Sequence, residues 1–438
     1  MNSLLRIPYA FAGAVAEGLV RITPAGRTKF QRALSARRDV ISRFHRWAAT
    51  NRDEERPLIW FHAPSVGEGL QALPVVDLVR QRKPEAQIVY TFYSPSAEQF
   101  AKSVKADIAD YLPFDTVSHA RGMISALRPN ALIFSKLDIW PALTEQVAHS
   151  GIPVGVISAT LPESSGRRGL LARAFLADAY GAIARVGAID QADADRLRQQ
   201  GVRAERISVT GDTRYDQVWA RAQRTPSQLT QSLRSSRPTL VAGSTWPSDE
   251  EHLLSAWMRI RNKIPDGRLI IAPHELSDAH LRNIEHWARG KTLKFARLDT
   301  LDAPHADVLL IDRFGVLGDL YTLADVAYVG GGFHSAGLHS VLEPAAFGAP
   351  VLFGPRNENS RDPAKLIEAG GGAQVSGDVE LSIRLGDWLG SPSARAAAGA
   401  AARAVVQNGL GAAERSYELV STLLLQRAPA RAVSAAGR

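Results

Sequence analysis

The chain has 438 residues and a formal net charge of +8; it is too long for one ordinary core, and two or three domains are expected. Cysteine is absent, which excludes a disulfide framework and any thiolate metal site, and the 11 histidines show no HExxH-type spacing, so no structural metal is expected. Charge is unevenly placed: residues 1–46 hold nine Lys or Arg against Glu17 and Asp39, a surplus of seven, while the rest of the chain is nearly neutral at +1.

That surplus adjoins an apolar run, residues 7–20, interrupted by Glu17. As a helix the run would measure about 21 Å, short of the roughly 30 Å hydrocarbon core of a bilayer. Glu17 and the basic stretch behind it also argue against a signal peptide. Apolar side chains bordered by arginines suit a helix lying in the interface of an anionic leaflet, with the arginines of residues 21–46 facing head groups. The alternative is a terminal helix docked on its own domain. Nothing that reads RNA or DNA accompanies the basic arm, and no nucleic-acid partner is expected.

From residue 57 strand and helix signals alternate. Strand-like runs fall at Leu58–His62, Gln87–Phe92, 131–134, 153–157, 182–186 and Ile207–Val209, with helical patterns such as 69–82 and 190–200 between them. The polar stretch 216–237 reads as a crossing between domains, and a second series follows at 239–242, 268–272, 307–311, Val326–Val329 and 350–353. Such alternation predicts parallel, doubly wound α/β sheets, whose ligands bind beyond the carboxyl ends of the strands. The Ala-rich segment 391–404 reads as an exposed helix and the last dozen residues as a frayed tail.

Each candidate motif directly follows a strand. In the first series, 62–68 reads HAPSVGE, placing Glu68 near a helix start, where a carboxylate can serve as general base or simply be favoured by the helix dipole. Lys136 and Asp138 follow the strand signal at 131–134, positioned to face a ligand or to pair with each other. In the second series, Ser244 and Thr245 open a helix and can cap it or bind a phosphate, and His274 follows one unit later. The run 330–355, GGGFHSAGLHSVLEPAAFGAPVLFGP, delivers a glycine loop to a helix-like segment, 338–347. Glycines let the backbone approach a ligand, the helix start favours an anion, and Glu343, about one turn inside, can accept from ribose hydroxyls.

Taken together, APSVGEG, KLDIWP at 136–141, GDTRYD at 211–216, AGSTWPSDEE at 242–251, IIAPHE at 270–275 and the glycine-loop run resemble the bacterial 3-deoxy-D-manno-octulosonic acid (Kdo) transferases of lipid A biosynthesis, in the same order from about residue 57 to 390. The resemblance implies a GT-B fold, two Rossmann-like domains facing across a cleft, with an N-terminal membrane-associating helix. Its domains would be a basic anchor segment, 1–50, an acceptor domain, 51–216, a CMP-sugar donor domain, 217–427, and a flexible tail, 428–438. It implies an inverting glycosyltransferase that needs no metal or other cofactor and moves Kdo from CMP-Kdo to the 6′-hydroxyl of lipid IVA, at the cytoplasmic face of the inner membrane and against its anionic lipids. By the same resemblance Glu68 is the catalytic base. Ser244, Thr245, His274, Gly331, Gly332, Gly337, Leu338, His339, Ser340 and Glu343 line the donor site, and backbone N–H groups around 337–339 hold the CMP phosphate. Lys136 and Asp138 are acceptor-side or secondary positions. The chain departs from the family where Lys136-Leu137-Asp138 replaces Glu-Thr-Glu and Leu338-His339-Ser340 replaces Gly-His-Asn. Other readings are another GT-B enzyme, such as a nucleotide-sugar 2-epimerase or UDP-sugar transferase, and a membrane-associated homologue without activity.

Overall fold

In the computed structural model the described residues are 28–163 and 165–425, with single positions between 8 and 19. Arg6, Arg21, Arg27 and the tail 428–438 lie outside them. The chain forms two compact units, one of residues 1–217 and 411–438, the other of 218–410. The second unit therefore ends at Leu410, because the closing helix Ala412–Leu425 buries Leu419, Val420 and Leu423 in the first unit's core. Asp216 fastens that helix by accepting from the Gly411 and Ala413 N–H groups at 2.8 and 2.9 Å.

The first unit holds a seven-stranded sheet in the order β3-β2-β1-β4-β5-β6-β7. Its strands are β1 Leu58–His62, β2 Gln87–Phe92, β3 Ile108–Tyr111, β4 Ala131–Ser135, β5 Val154–Ala159, β6 Arg185–Ala188 and β7 Ile207–Val209. The second unit holds another seven, β10-β11-β9-β8-β12-β13-β14. These are β8 Thr239–Thr245, β9 Arg268–Pro273, β10 Phe295–Arg297, β11 Val308–Leu310, β12 Val326–Val329, β13 Val351–Phe353 and β14 Gly372–Gln374. Every pairing is parallel. Central strands are buried on both faces, which is why they read as unbroken apolar runs. Strand order reverses between β1 and β4 in the first sheet and between β8 and β12 in the second, and ligands of such sheets bind at these switch points.

The expected elements shift in three places. β6 begins at Arg185, because helix Leu170–Ala182 consumes the start of the run read as strand. Helix Pro392–Asn408 is not an exposed helix: Ala398, Gly399, Ala402 and Val406 are buried, and a Cβ on Gly399 would meet the Gly348 carbonyl oxygen at 2.1 Å. The basic front is in part structural. Helix Val40–Asn51 buries Val40 and Phe44 in the first core. Arg37 is buried, donating to the carbonyls of Tyr93 and Leu112 with its guanidinium 3.8 Å from the Tyr93 ring centroid, and Arg43 makes a two-pronged pair with Asp110. Both are engaged within the first unit, whereas Arg32, Arg38 and Arg46 are exposed. Among the described residues no helix is long and apolar enough to cross a membrane.

Candidate active site

At the first switch point β1 and β4 each hand the chain to a helix. Helix Val66–Arg82 starts three residues earlier than its apolar pattern indicates, with Ser65 as the extended N-cap residue and Glu68 in the first turn. The Ser65 hydroxyl donates to Glu68 Oε2 and accepts from no backbone N–H of the helix. Across the switch, Lys136 takes a left-handed conformation, φ 64°, directly after β4 and brings Nζ to 3.3 Å from Glu68 Oε1. That conformation is uncommon for a residue with a side chain and marks a strained strand end. The Ser135 hydroxyl ties β4 to the Glu68 carbonyl at 2.7 Å. Lys136 and Asp138 do not pair with each other: Asp138 takes Arg167 at 2.7 Å, a partner supplied by a short turn 29 positions away.

Burial works against ionisation of Glu68, but the Ser65 hydrogen bond and the Lys136 charge outweigh it and hold the carboxyl below its ordinary range. Asp138 moves the other way; burial raises it, Arg167 opposes, and the Glu68 charge adds to the rise. Glu68 is therefore ionised at neutral pH, largely sheltered, and able to accept a proton. His62, at the end of β1, is fully buried and pushed down to about 3, mainly by burial. It accepts from Trp140 Nε1 at 3.0 Å, so it is a neutral strut between β1 and the segment after β4.

At the second switch point the residues are mostly rings. Trp246 packs parallel to His334, with centroids 3.9 Å apart and planes 5° apart, and against His274 at 4.5 Å. His274 in turn stacks on His339 at 4.4 Å, and Trp246 Nε1 donates to His339 Nε2 at 3.4 Å. Burial, helped by the neighbouring imidazoles, lowers His339 to about 4; burial lowers His274 as well. The rings meet face to face, so their nitrogens do not converge, and among the described residues no group of three ligating side chains suits a metal.

Asp249, fully buried, fixes the glycine loop by accepting from the N–H groups of Trp246, Gly331 and Phe333 at 2.9, 2.8 and 3.1 Å and from the Tyr328 hydroxyl at 3.1 Å. Gly331 and Gly337 have φ of 94° and 83°, and a Cβ on Gly331 would stand 2.2 Å from the Gly337 carbonyl oxygen. Gly332 has to pass Gly354, where a Cβ would lie 2.5 Å from its nitrogen.

Three expectations at this switch point are corrected. The N–H groups of Gly337, Leu338 and His339 already donate to His334, Asn359 and Gly330, so they are not spare donors for a phosphate. The helix runs only over Leu342–Ala346, because those bonds hold the preceding residues in a turn; Glu343 consequently lies in its first turn, not one turn inside. Thr245 is fully buried and gives its hydroxyl to Glu250 at 2.7 Å, so it does not cap the helix. Ser244, with φ 56°, and the exposed Ser340 remain at the strand end and loop rim. Glu343 lies 3.9 Å from Arg221 Nη1; burial raises its carboxyl, Arg221 opposes, and Asp319 adds to the rise. Gly318 makes room for that arginine, since a Cβ there would overlap Arg221 Nη1.

Residues 38–217 match the family model described as 3-deoxy-D-manno-octulosonic-acid transferase (kdotransferase). That stretch is similar to the Kdo transferase domain the family model describes. Relatives named 3-deoxy-D-manno-octulosonic acid transferase extend the likeness well beyond it. The one from Haemophilus influenzae is 27% identical over 373 residues, covering 84% of this chain and 87% of its own length. The Aquifex aeolicus relative is 28% identical, with 76% and 86% covered. That from Bordetella pertussis is also 28% identical, with 84% and 87% covered. Kdo transferases are glycosyltransferases, and these likenesses support a transferase. In fold it is similar to the UDP-GlcNAc 2-epimerase from Neisseria meningitidis (TM-score 0.58, 15% identity, 84% of this chain and 99% of that one covered) and to that from Methanocaldococcus jannaschii (0.56, 13%, 80% and 99%). This likeness is to the α/β architecture of a GT-B chain.

Sequence patterns do not single out Arg167, Arg221, Asp249, Trp246 or His334. Trp246 and His334 do carry a signal, since each lies in or beside a motif that directly follows a strand.

Proposed function

We propose that this protein is an inverting Kdo transferase that moves Kdo from CMP-Kdo to the 6′-hydroxyl of lipid IVA. The observation that carries the reading is the ionised Glu68 beside Lys136 at the first switch point, in a chain similar to Kdo transferases. Glu68 takes the proton of the attacking hydroxyl as its oxygen bonds to the anomeric carbon of Kdo and the bond to the CMP phosphate breaks. Lys136 keeps Glu68 charged until then, at some cost in basicity, since the best base has a pKa near the working pH. The leaving phosphate gains charge, and preorganised donors lower that barrier. With the loop amides occupied, His274 and the first helical turn after Ser340 are the groups assigned to it, and Glu343 with Arg221 holds the ribose side.

The protein works at the cytoplasmic face of the inner membrane. Supporting this, Phe11, Val15 and Leu19, spaced i, i+4, i+8, are exposed by 71, 46 and 40% on a helix whose Tyr9 and Glu17 point inward. The test is product mass, from purified protein supplied with a CMP-Kdo generating system and lipid IVA. One or more added Kdo units are expected. An unchanged acceptor, with CMP-Kdo consumed or not, overturns the assignment.

A further inference from the structure

The segment that presents Lys136 is held at its far end from an unexpected place. It leaves β4 and enters helix Pro141–His149, whose N-cap residue, Trp140, supplies no side-chain cap. Asp115 does so from a distance, accepting from the Ala142 N–H at 2.9 Å and the Leu143 N–H at 2.7 Å. A carboxylate at a helix start satisfies amides the helix cannot and meets the positive end of its dipole. Asp115 is 9% exposed, and its third bond comes from the Tyr9 hydroxyl at 2.6 Å. Tyr9 also sets its ring edge-on to Phe175 at 5.0 Å.

Tyr9 belongs to the same helix that turns Phe11, Val15 and Leu19 outward. Its inward face is Tyr9, Gly13 and Glu17: a Cβ on Gly13 would meet the Thr116 methyl at 2.6 Å, and Glu17 accepts from Thr116 at 3.1 Å and lies 3.2 Å from His119. Thr116 and His119 open helix Val117–Leu127, immediately after Asp115. The outward apolar ridge and the inward bond to Asp115 thus belong to the same helix.

We infer that Tyr9, acting through Asp115 and the start of helix Pro141–His149, is a positioning residue for the Lys136–Glu68 pair, so that seating of the N-terminal helix sets the state of the base. This rests on the assignment of Glu68 made above. Without the Tyr9 hydroxyl, a sheltered carboxylate loses one of three donors, the helix start loosens, and the segment between β4 and that helix is freer to carry Lys136 away from Glu68. The titratable groups around Glu68 are Lys136, Asp138 and Tyr90, and Lys136 is the one whose withdrawal raises the Glu68 carboxyl.

The experiment compares full-length wild-type protein, Tyr9→Phe, Asp115→Asn and Glu68→Gln in anionic vesicles, measuring kcat and donor KM across pH. Tyr9→Phe keeps the ring and loses one hydroxyl, so it is the informative variant if Asp115→Asn folds poorly. Expected are a fall in kcat of about tenfold, as a small misplacement of a reacting group produces, an unchanged donor KM, and an acid limb of kcat displaced to higher pH. Wild-type kcat and an unmoved acid limb in Tyr9→Phe, with Glu68→Gln inactive, overturn the inference and leave Tyr9 a docking contact, whatever happens to melting temperature. An active Glu68→Gln instead removes the base assignment, and the inference falls with it.

Discussion

Beside β1 and β4 the first sheet gathers Glu68, Lys136, Asp138 and Arg167; beside β8 and β12 the second gathers Trp246, His274, His334 and His339. The backbone plan is shared. Each place lies where strand order reverses, and each has a non-glycine residue in the left-handed region, Lys136 at 64° and Ser244 at 56°. The filling differs. The first place is built of charges that pull one another's pKa apart, which suits the movement of a proton. The second is built of stacked rings, with burial holding His274 and His339 towards the neutral form, and of backbone turned by glycines, which suits recognition of a flat or anionic ligand. The contrast indicates a division of labour within one repeated architecture.

The strongest way to break that division is Glu68→Gln. The amide is nearly isosteric but takes no proton, so turnover should fall on the order of 10²-fold or more while CMP affinity, measured calorimetrically, stays at the wild-type value. Near-normal turnover would place the chemistry elsewhere. The converse change is Gly331→Ala. Its methyl collides with the Gly337 carbonyl and its φ suits glycine, so donor affinity should drop by about tenfold or more, with strain of roughly 1–3 kcal/mol expected at such a position. Full donor affinity there would mean the loop does not form the pocket wall.

Glu343→Ala should weaken CMP and CMP-Kdo alike, by about tenfold or less, because a ribose contact exists before and during the reaction. An effect confined to kcat would move Glu343 out of the ribose role. Lys136→Met sharpens the first half of the comparison. Removing the cation should shift the acid limb of kcat to higher pH, since Lys136 helps hold Glu68 low; an unmoved limb would show that the limb belongs to another group.

The smallest effect is a slope in stability. His280 donates through Nε2 to Glu250 at 2.8 Å and faces the Glu275 carbonyl through Nδ1 at 3.0 Å, and the Glu250 hydrogen bond is the main cause of its raised pKa. With a folded value above the unfolded one, its contribution is complete below the unfolded pKa and is lost as pH rises through the folded value. Chemical denaturation of wild type and His280→Gln should therefore differ most at mildly acidic pH and converge in alkali; a constant difference would count against a charged His280.

Much of this architecture is legible in the amino-acid sequence. Glu68, Lys136, His274 and the glycine loop announce themselves because each follows a buried strand, and buried parallel strands are continuous apolar runs. β3, β10 and β14 are edge strands of three or four residues. Half of such a strand faces away from the core, so no run marks it. The partners are less legible than the sites: Arg167 reaches Asp138 across 29 positions and Arg221 reaches Glu343 across 122, and no local pattern carries such pairings. Arg37 misleads for a related reason. In sequence it is one more cation in a basic arm, and only the fold places Tyr93 and two carbonyls around its guanidinium.

The return of helix Ala412–Leu425 to the first unit bears on how the polypeptide is made. Gly155 lacks the Cβ that would stand 2.5 Å from Leu423, so β5 has a slot shaped for a side chain that leaves the ribosome more than 260 residues later. Until then the sheet that carries Glu68 shows an uncovered apolar strip, whereas the whole of 218–410 has already emerged. The inserted unit can therefore finish folding first, and the unit begun earliest closes last; a released chain truncated before residue 412 should expose its first half, not its second, to chaperones and proteases.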